Sequence, residues 1–80
     1  MHETHLLENI FKYLDSEEKA SSKKITKICI ALSDFGGISE EHLREHYKEA
    51  SFGTKWESLD LEITRVPYGP ELEITRLDFK

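Results

Sequence analysis

Eighty residues allow one small domain, expected to span 1–80, and 38% hydrophobic with 34% charged residues fits a folded chain rather than a disordered one. The formal charge of -5, from 16 acidic and 11 basic residues interspersed along the chain, argues against nucleic acid as a partner. The single cysteine, Cys29, excludes an intramolecular disulfide and any multi-cysteine zinc site and agrees with a reducing cytoplasm.

The sequence has no apolar run near the ~18 residues that a membrane span needs, and no basic segment leading into an apolar one. Neither export nor membrane insertion is expected. A chain this short buries only about 60 to 65% of its unfolded surface, so a homodimer or a bound metal stays open as a source of added stability.

From Thr4 to about Lys19, Leu6, Leu7, Ile10, Phe11 and Leu14 recur at helical spacing, with Glu8, Lys12, Asp15 and Glu18 between them. This predicts an amphipathic helix. Ala20-Ser21-Ser22 reads as a loop, and the β-branched run from Ile25 to Leu32 reads as a strand. Ile28, Ile30 and Leu32 make its apolar face; Ile25, Lys27, Cys29 and Ala31 make the mixed one. Gly36-Gly37 ends the strand in a turn. Ser39 is a fitting N-cap for a second helix, with Glu40 and Glu41 in its first turn, reaching Ala50 or Ser51. Its inner stripe is Leu43, Tyr47 and Ala50. The phrase Leu-Glu-Ile-Thr-Arg occurs at 61–65 and again at 72–76, and the short interval between the copies predicts an antiparallel hairpin with Ile63 opposite Ile74. Leu77 and Phe79 are out of phase with Leu72 and Ile74, which a bulge near Thr75 or Arg76 would repair. The expected fold is α+β in the order α-β-α-β-β: a two-layer sandwich with two helices on one face of a three-stranded sheet.

The chemistry gathers at the first residues. In Met1-His2-Glu3 the terminal amine, two backbone amides and the His2 imidazole offer four nitrogens that close fused chelate rings in a plane. Ni(II) or Cu(II) prefers that geometry, and tetrahedral Zn(II) gains less from it. The plainer reading is a solvated terminus. His5, one helical turn on, could approach the same ion or sit in solvent. His42 and His46 lie four apart on the second helix, a spacing that can bind one metal from one face, although border histidines over a small core look the same. Residue 43 is Leu, so the zinc-protease pattern fails. Glu3 and Glu8 suit the positive end of the helix dipole without any metal. Cys29 reads as a small hydrophobe in a strand. No nucleophile with a neighbouring base and no paired acids stand at useful spacing, so no enzyme is expected.

Met1-His2-Glu3 before an apolar helix, Ile25-Thr26-Lys27-Ile28 leading to Asp34-Phe35-Gly36-Gly37-Ile38, Leu43 to Tyr47, Gly53-Thr54, and Leu59-Asp60-Leu61-Glu62-Ile63 up to Val66-Pro67 together resemble the HypA/HybF family of nickel metallochaperones. The resemblance implies a role in maturing [NiFe] hydrogenase or urease. It also implies a cytoplasmic location, Ni(II) at Met1, His2 and Glu3, and partners that include a GTPase and the hydrogenase large subunit. Family members insert a zinc lobe with two Cys-x-x-Cys pairs between the last two strands. Here that interval is Tyr68-Gly69-Pro70 without cysteine, so no structural zinc is expected. His2, as a large second residue, would keep Met1 on the chain. The alternative is a metal-free interaction module derived from the same family.

Overall fold

The computed structural model describes residues 3–80, with side chains from Leu6 onward. The first helix, α1 (Glu3–Ser21), buries Leu7, Ile10 and Leu14 along one stripe, with Leu6 and Phe11 packed beside them. It runs one half-turn past the expected end. Ser22 there takes a left-handed φ of 59°, and its N–H donates to Glu18 O at 2.9 Å, which terminates the helix where a loop alone was expected. The Glu18 carboxylate then accepts the Ile25 N–H at 2.8 Å and turns the chain into the first strand.

That strand, β1 (Ile25–Ser33), is the centre of the molecule. Ile28, Ile30 and Leu32 are at most 2% exposed on the helix-covered face, whereas Lys27 and Cys29 lie half-exposed on the other. Ile25 departs from simple alternation. The register shifts between Ile25, opposite Phe79, and Lys27, opposite Asp78, which leaves Thr26 as an extra residue and returns Ile25 to the core.

The second helix, α2 (Glu40–Ser51), starts as the sequence predicts, with Ser39 Oγ accepting the His42 N–H at 3.0 Å. Leu43 and Tyr47 are buried, and Ser51 completes their four-residue spacing; Ala50, expected inside, is exposed. After α2, Trp56 folds back into the core, although nothing in the periodicity places it there. The Tyr47 hydroxyl donates to its carbonyl at 2.7 Å. The neighbouring Lys55 ammonium lies 4.6 Å from the Trp56 ring centroid and pairs with Asp15 and Glu18 of α1. Lys19 and Lys55 hold the Asp15 carboxyl below the usual carboxylate range.

The last strands, β2 (Asp60–Val66) and β3 (Leu72–Phe79), complete a sheet in the order β2-β1-β3. The element order α-β-α-β-β and the helix-on-sheet layering are as the sequence predicts. The antiparallel hairpin is not: β2 and β3 do not pair, and β1 lies between them, parallel to β2 and antiparallel to β3. The reason is apolar content. β1 carries the longest run of buried residues and is best satisfied with a strand on each edge, while β2 and β3 have no fully buried residue and only half-bury their inward-facing ones. Residues 67–71 therefore arch over the end of β1, crossing two strand spacings or about 10 Å, well within the reach of five extended residues at about 3.3 Å each. Ile63 and Ile74 do share a face, but as flanking neighbours of Ile30 and not as partners. The bulge expected near Thr75 is present: Ile30 faces Ile74 and Cys29 faces Arg76, with Thr75 between, its hydroxyl donating to Cys29 O. Leu77 thereby joins the face of Leu72 and Ile74.

The arch is tied down at both feet. Asp34 N–H donates to Val66 O at 2.8 Å, Ser33 N–H donates to Glu71 O at 3.3 Å, and Asp34 pairs with Arg65 at 3.0 Å. Gly36 lies so close that a Cβ there would meet Glu71 Cγ at 2.7 Å and Glu71 Cα at 2.9 Å. Gly36→Ala is expected to cost about 1–3 kcal/mol, the usual penalty of overpacking against backbone, as a lowered urea midpoint with an unchanged slope.

Candidate metal centre

Turn geometry decides where the opening residues are carried. The short α1–β1 connection makes α1 antiparallel to β1, so the start of α1 lies at the end of the sheet where β1 finishes and β3 begins. The side-chain contacts agree: Leu6, Asn9, Ile10 and Tyr13 line a groove with Leu72, Glu73 and Ile74. Leu7, Ile10 and Leu14 fix the first turns of α1 to the core, and the arch with its Phe35–Tyr68 stack, ring centroids 6.4 Å apart, occupies the same end. Phe35 and Tyr68 are the two most exposed large hydrophobic residues described, at 82% and 79%. No periodicity singles out either residue, because the stack joins positions 33 residues apart that only the arch brings together.

Of the candidate ligands, Met1 and His2 lie outside the described residues. So do the side chains of Glu3 and His5, although their backbone forms the first turn of α1. His42 is exposed and His46 half-buried on α2. Among the described residues no group of three or more His, Cys, Asp or Glu is placed to hold a metal, so His42 and His46 gain no third ligand there. Cys29 sits on the uncovered sheet face opposite Glu62 and Arg76. Tyr47, whose oxygen could serve a metal only as phenolate, is held neutral: burial pushes its pKa up to about 12 while its hydroxyl donates to Trp56 O.

With the start of α1 located and no competing ligand cluster among the described residues, comparison with known families becomes decisive. A family model described as "Hydrogenase/urease nickel incorporation, metallochaperone, hypA" matches residues 1–73. The chain belongs to the HypA family. Curated proteins and solved structures yield no match. HypA proteins are metallochaperones that take part in nickel incorporation into hydrogenase and urease, working with other proteins of that maturation, and not catalysts. No described helix of this HypA chain is long and apolar enough to cross a membrane.

The Tyr47 contact has a pH signature. The unfolded phenol ionises near its ordinary 10.0, ahead of the folded one near 12, so the unfolded state binds fewer protons between those values. Stability is expected to fall as pH rises from 10.0 to about 12, read as a falling urea midpoint. Tyr47→Phe should flatten that fall and cost about 0.5–1.5 kcal/mol at neutral pH through the lost hydroxyl bond, leaving the Trp56 carbonyl with only the 3.4 Å bond from Leu59 N–H.

Proposed function

We propose that residues 1–80 act as a single nickel-binding domain that takes up Ni(II) at Met1, His2 and Glu3. It then passes the ion by ligand exchange to a partner in the maturation of [NiFe] hydrogenase or urease. The GTPase of the family and the hydrogenase large subunit are the partners this reading implies. The observation that carries it is the family match, which includes the opening residues.

Physical chemistry supports the choice of ligands. The first four N–H groups of a helix have no partner within it, and α1 begins at Glu3, so a metal that displaces the amide proton there breaks no helical hydrogen bond. The start of a helix is also its positive end, an unfavourable place for a bare divalent cation by about 0.3–1 kcal/mol. Two deprotonated amides cancel the ion's charge, and the Glu3 carboxylate adds a favourable negative charge. Such a site suits a carrier: uptake releases protons, so protonation of the imidazole and amides returns the ion. His5 is an optional further ligand.

A second reading is a metal-free interaction module that keeps the HypA docking surface. The single cysteine favours it, since the zinc lobe that the family resemblance implies has no counterpart between β2 and β3.

A titration of untagged protein with Ni(II) separates the two. The delivery reading expects stoichiometric uptake with a yellow planar d–d band, strengthening about tenfold or more per pH unit because at least one proton leaves for each ion bound. His2→Ala, or acetylation of the terminal amine, should abolish the band, and His42→Ala with His46→Ala should leave it unchanged. Uptake that survives His2→Ala and disappears with the α2 histidines overturns the assignment. Partner binding that is unaffected by His2→Ala, without nickel uptake by the native chain, establishes the second reading.

A further inference from the structure

Lysines that are scattered along the sequence are gathered by the fold. Lys19 lies in the last turn of α1, Lys23 and Lys24 lead into β1, Lys55 follows α2 and Lys80 follows β3, yet all five line two adjoining hollows at the end of the molecule where β1 starts. The first, about 260 Å³, takes Lys19, Lys23, Lys24 and Lys55; the second, about 330 Å³, takes Lys24, Lys55 and Lys80 with the Ser58 hydroxyl. Asp15 and Glu18 are the only carboxylates among the described residues that line either one. Five ammonium groups against two carboxylates give this end a charge of +3, while the other six basic and 14 acidic residues leave -8 on the rest of the chain. Helix-dipole compensation accounts for Lys19, but not for lysines that arrive from three other segments.

The two carboxylates are already engaged. Asp15 pairs with Lys19 at 3.0 Å and with Lys55 at 3.3 Å; Glu18 pairs with Lys55 at 3.2 Å and accepts the Ile25 N–H. Lys23, Lys24 and Lys80 have no ion pair among the described residues. Ile25 and Leu59 give the second hollow an apolar wall, beside which an ion pair is stronger than in open water. We propose that this basic end binds a diphosphate group, free or carried by a nucleotide, with Lys24 and Lys80 as its main partners, Lys23 at the rim and Lys55 held between the group and Glu18. Charge and size select this occupant. A phosphate carries about -1.5 to -2 charges near neutral pH, so two linked groups bring roughly the three charges that the unpaired lysines can answer. Lysine suits phosphate as a compact point charge that needs no fixed fork geometry. An acidic protein surface would need a broad face, whereas hollows of about 260 and 330 Å³ have room for a small molecule. The 19 residues of α1, at about 1.5 Å each, set this end about 28 Å from the opening residues, so diphosphate and nickel bind independently.

Trp56 is the single tryptophan of the chain and has the Lys55 ammonium 4.6 Å from its ring centroid, so its emission reports on this end. Titration of the full chain with inorganic pyrophosphate and with adenosine diphosphate at low salt tests the proposal. Binding is expected to saturate, with amide shifts concentrated at residues 22–26, 55–58 and 80, and to weaken as salt is raised. Lys24→Gln and Lys80→Gln, both changes at exposed residues, should each weaken it about threefold or more while leaving the circular dichroism unchanged. Lys12→Gln removes the same charge from the middle of α1 and should leave binding as it is. Adenosine diphosphate binding more tightly than pyrophosphate identifies a nucleotide as the source, and the reverse order identifies the free group. No saturation by either compound at millimolar levels, an affinity that Lys12→Gln lowers as far as Lys24→Gln does, or capture of a polyglutamate peptide in place of both phosphate compounds overturns the proposal. None of these readouts depends on nickel.

Discussion

The rest of the molecule depends on one row of branched side chains, Ile63, Ile30 and Ile74, laid across three strands beneath two helices. Ile30 is 2% exposed, with a neighbour on either side and Leu7, Leu14 and Leu43 of the helix layer in the same core. Each such side chain contributes about 1.5–3 kcal/mol when fully withdrawn from water. Only the central strand offers that withdrawal along most of its length, so a chain with one strongly apolar strand and two weaker ones orders them around the strong one. The parallel β1–α2–β2 unit, the arch, and the position of both helices follow from that placement.

The proposed nickel site stands in contrast to this core. Its donors come mostly from backbone and terminus, so it needs little from side-chain packing except a helix that begins at a fixed place. The stripe of Leu7, Ile10 and Leu14 supplies that place, and the Lys55 and Trp56 network secures the far end of α1. A site of this kind is legible in three residues of sequence and needs no cavity.

Much of the fold was legible because burial is one-sided. The helical spacing of α1, the cap at Ser39, the alternating face of β1 and the phase break at Thr75 all report which residues face the core, and the structure agrees on each. Periodicity does not report neighbours. A short interval between two alternating strands looked like a hairpin because local pattern does not reveal that a third strand, about thirty residues earlier, is more apolar and takes the place between them. Trp56 escaped for a related reason: a single aromatic in an irregular loop has no period, and its burial rests on contacts to α1 and α2. The candidate ligands divide the same way. Spacing alone raised His42 and His46, and the fold brings them no third ligand among the described residues. Met1, His2 and Glu3 were raised by chemistry independent of fold.

The arch over β1 has an evolutionary consequence. In a true hairpin the turn sets strand register, so lengthening it disturbs the sheet. Here β1 sets the register of both neighbours, and the two feet at Val66 and Glu71 are bonded to Ser33 and Asp34 whatever lies between them. Extra chain placed between Tyr68 and Pro70 would add loop-closure entropy of only about 0.6 kcal/mol for each doubling of length. The tip is thus a docking port for whole modules, where a lobe can be gained or shed across generations while the sheet beneath keeps its shape.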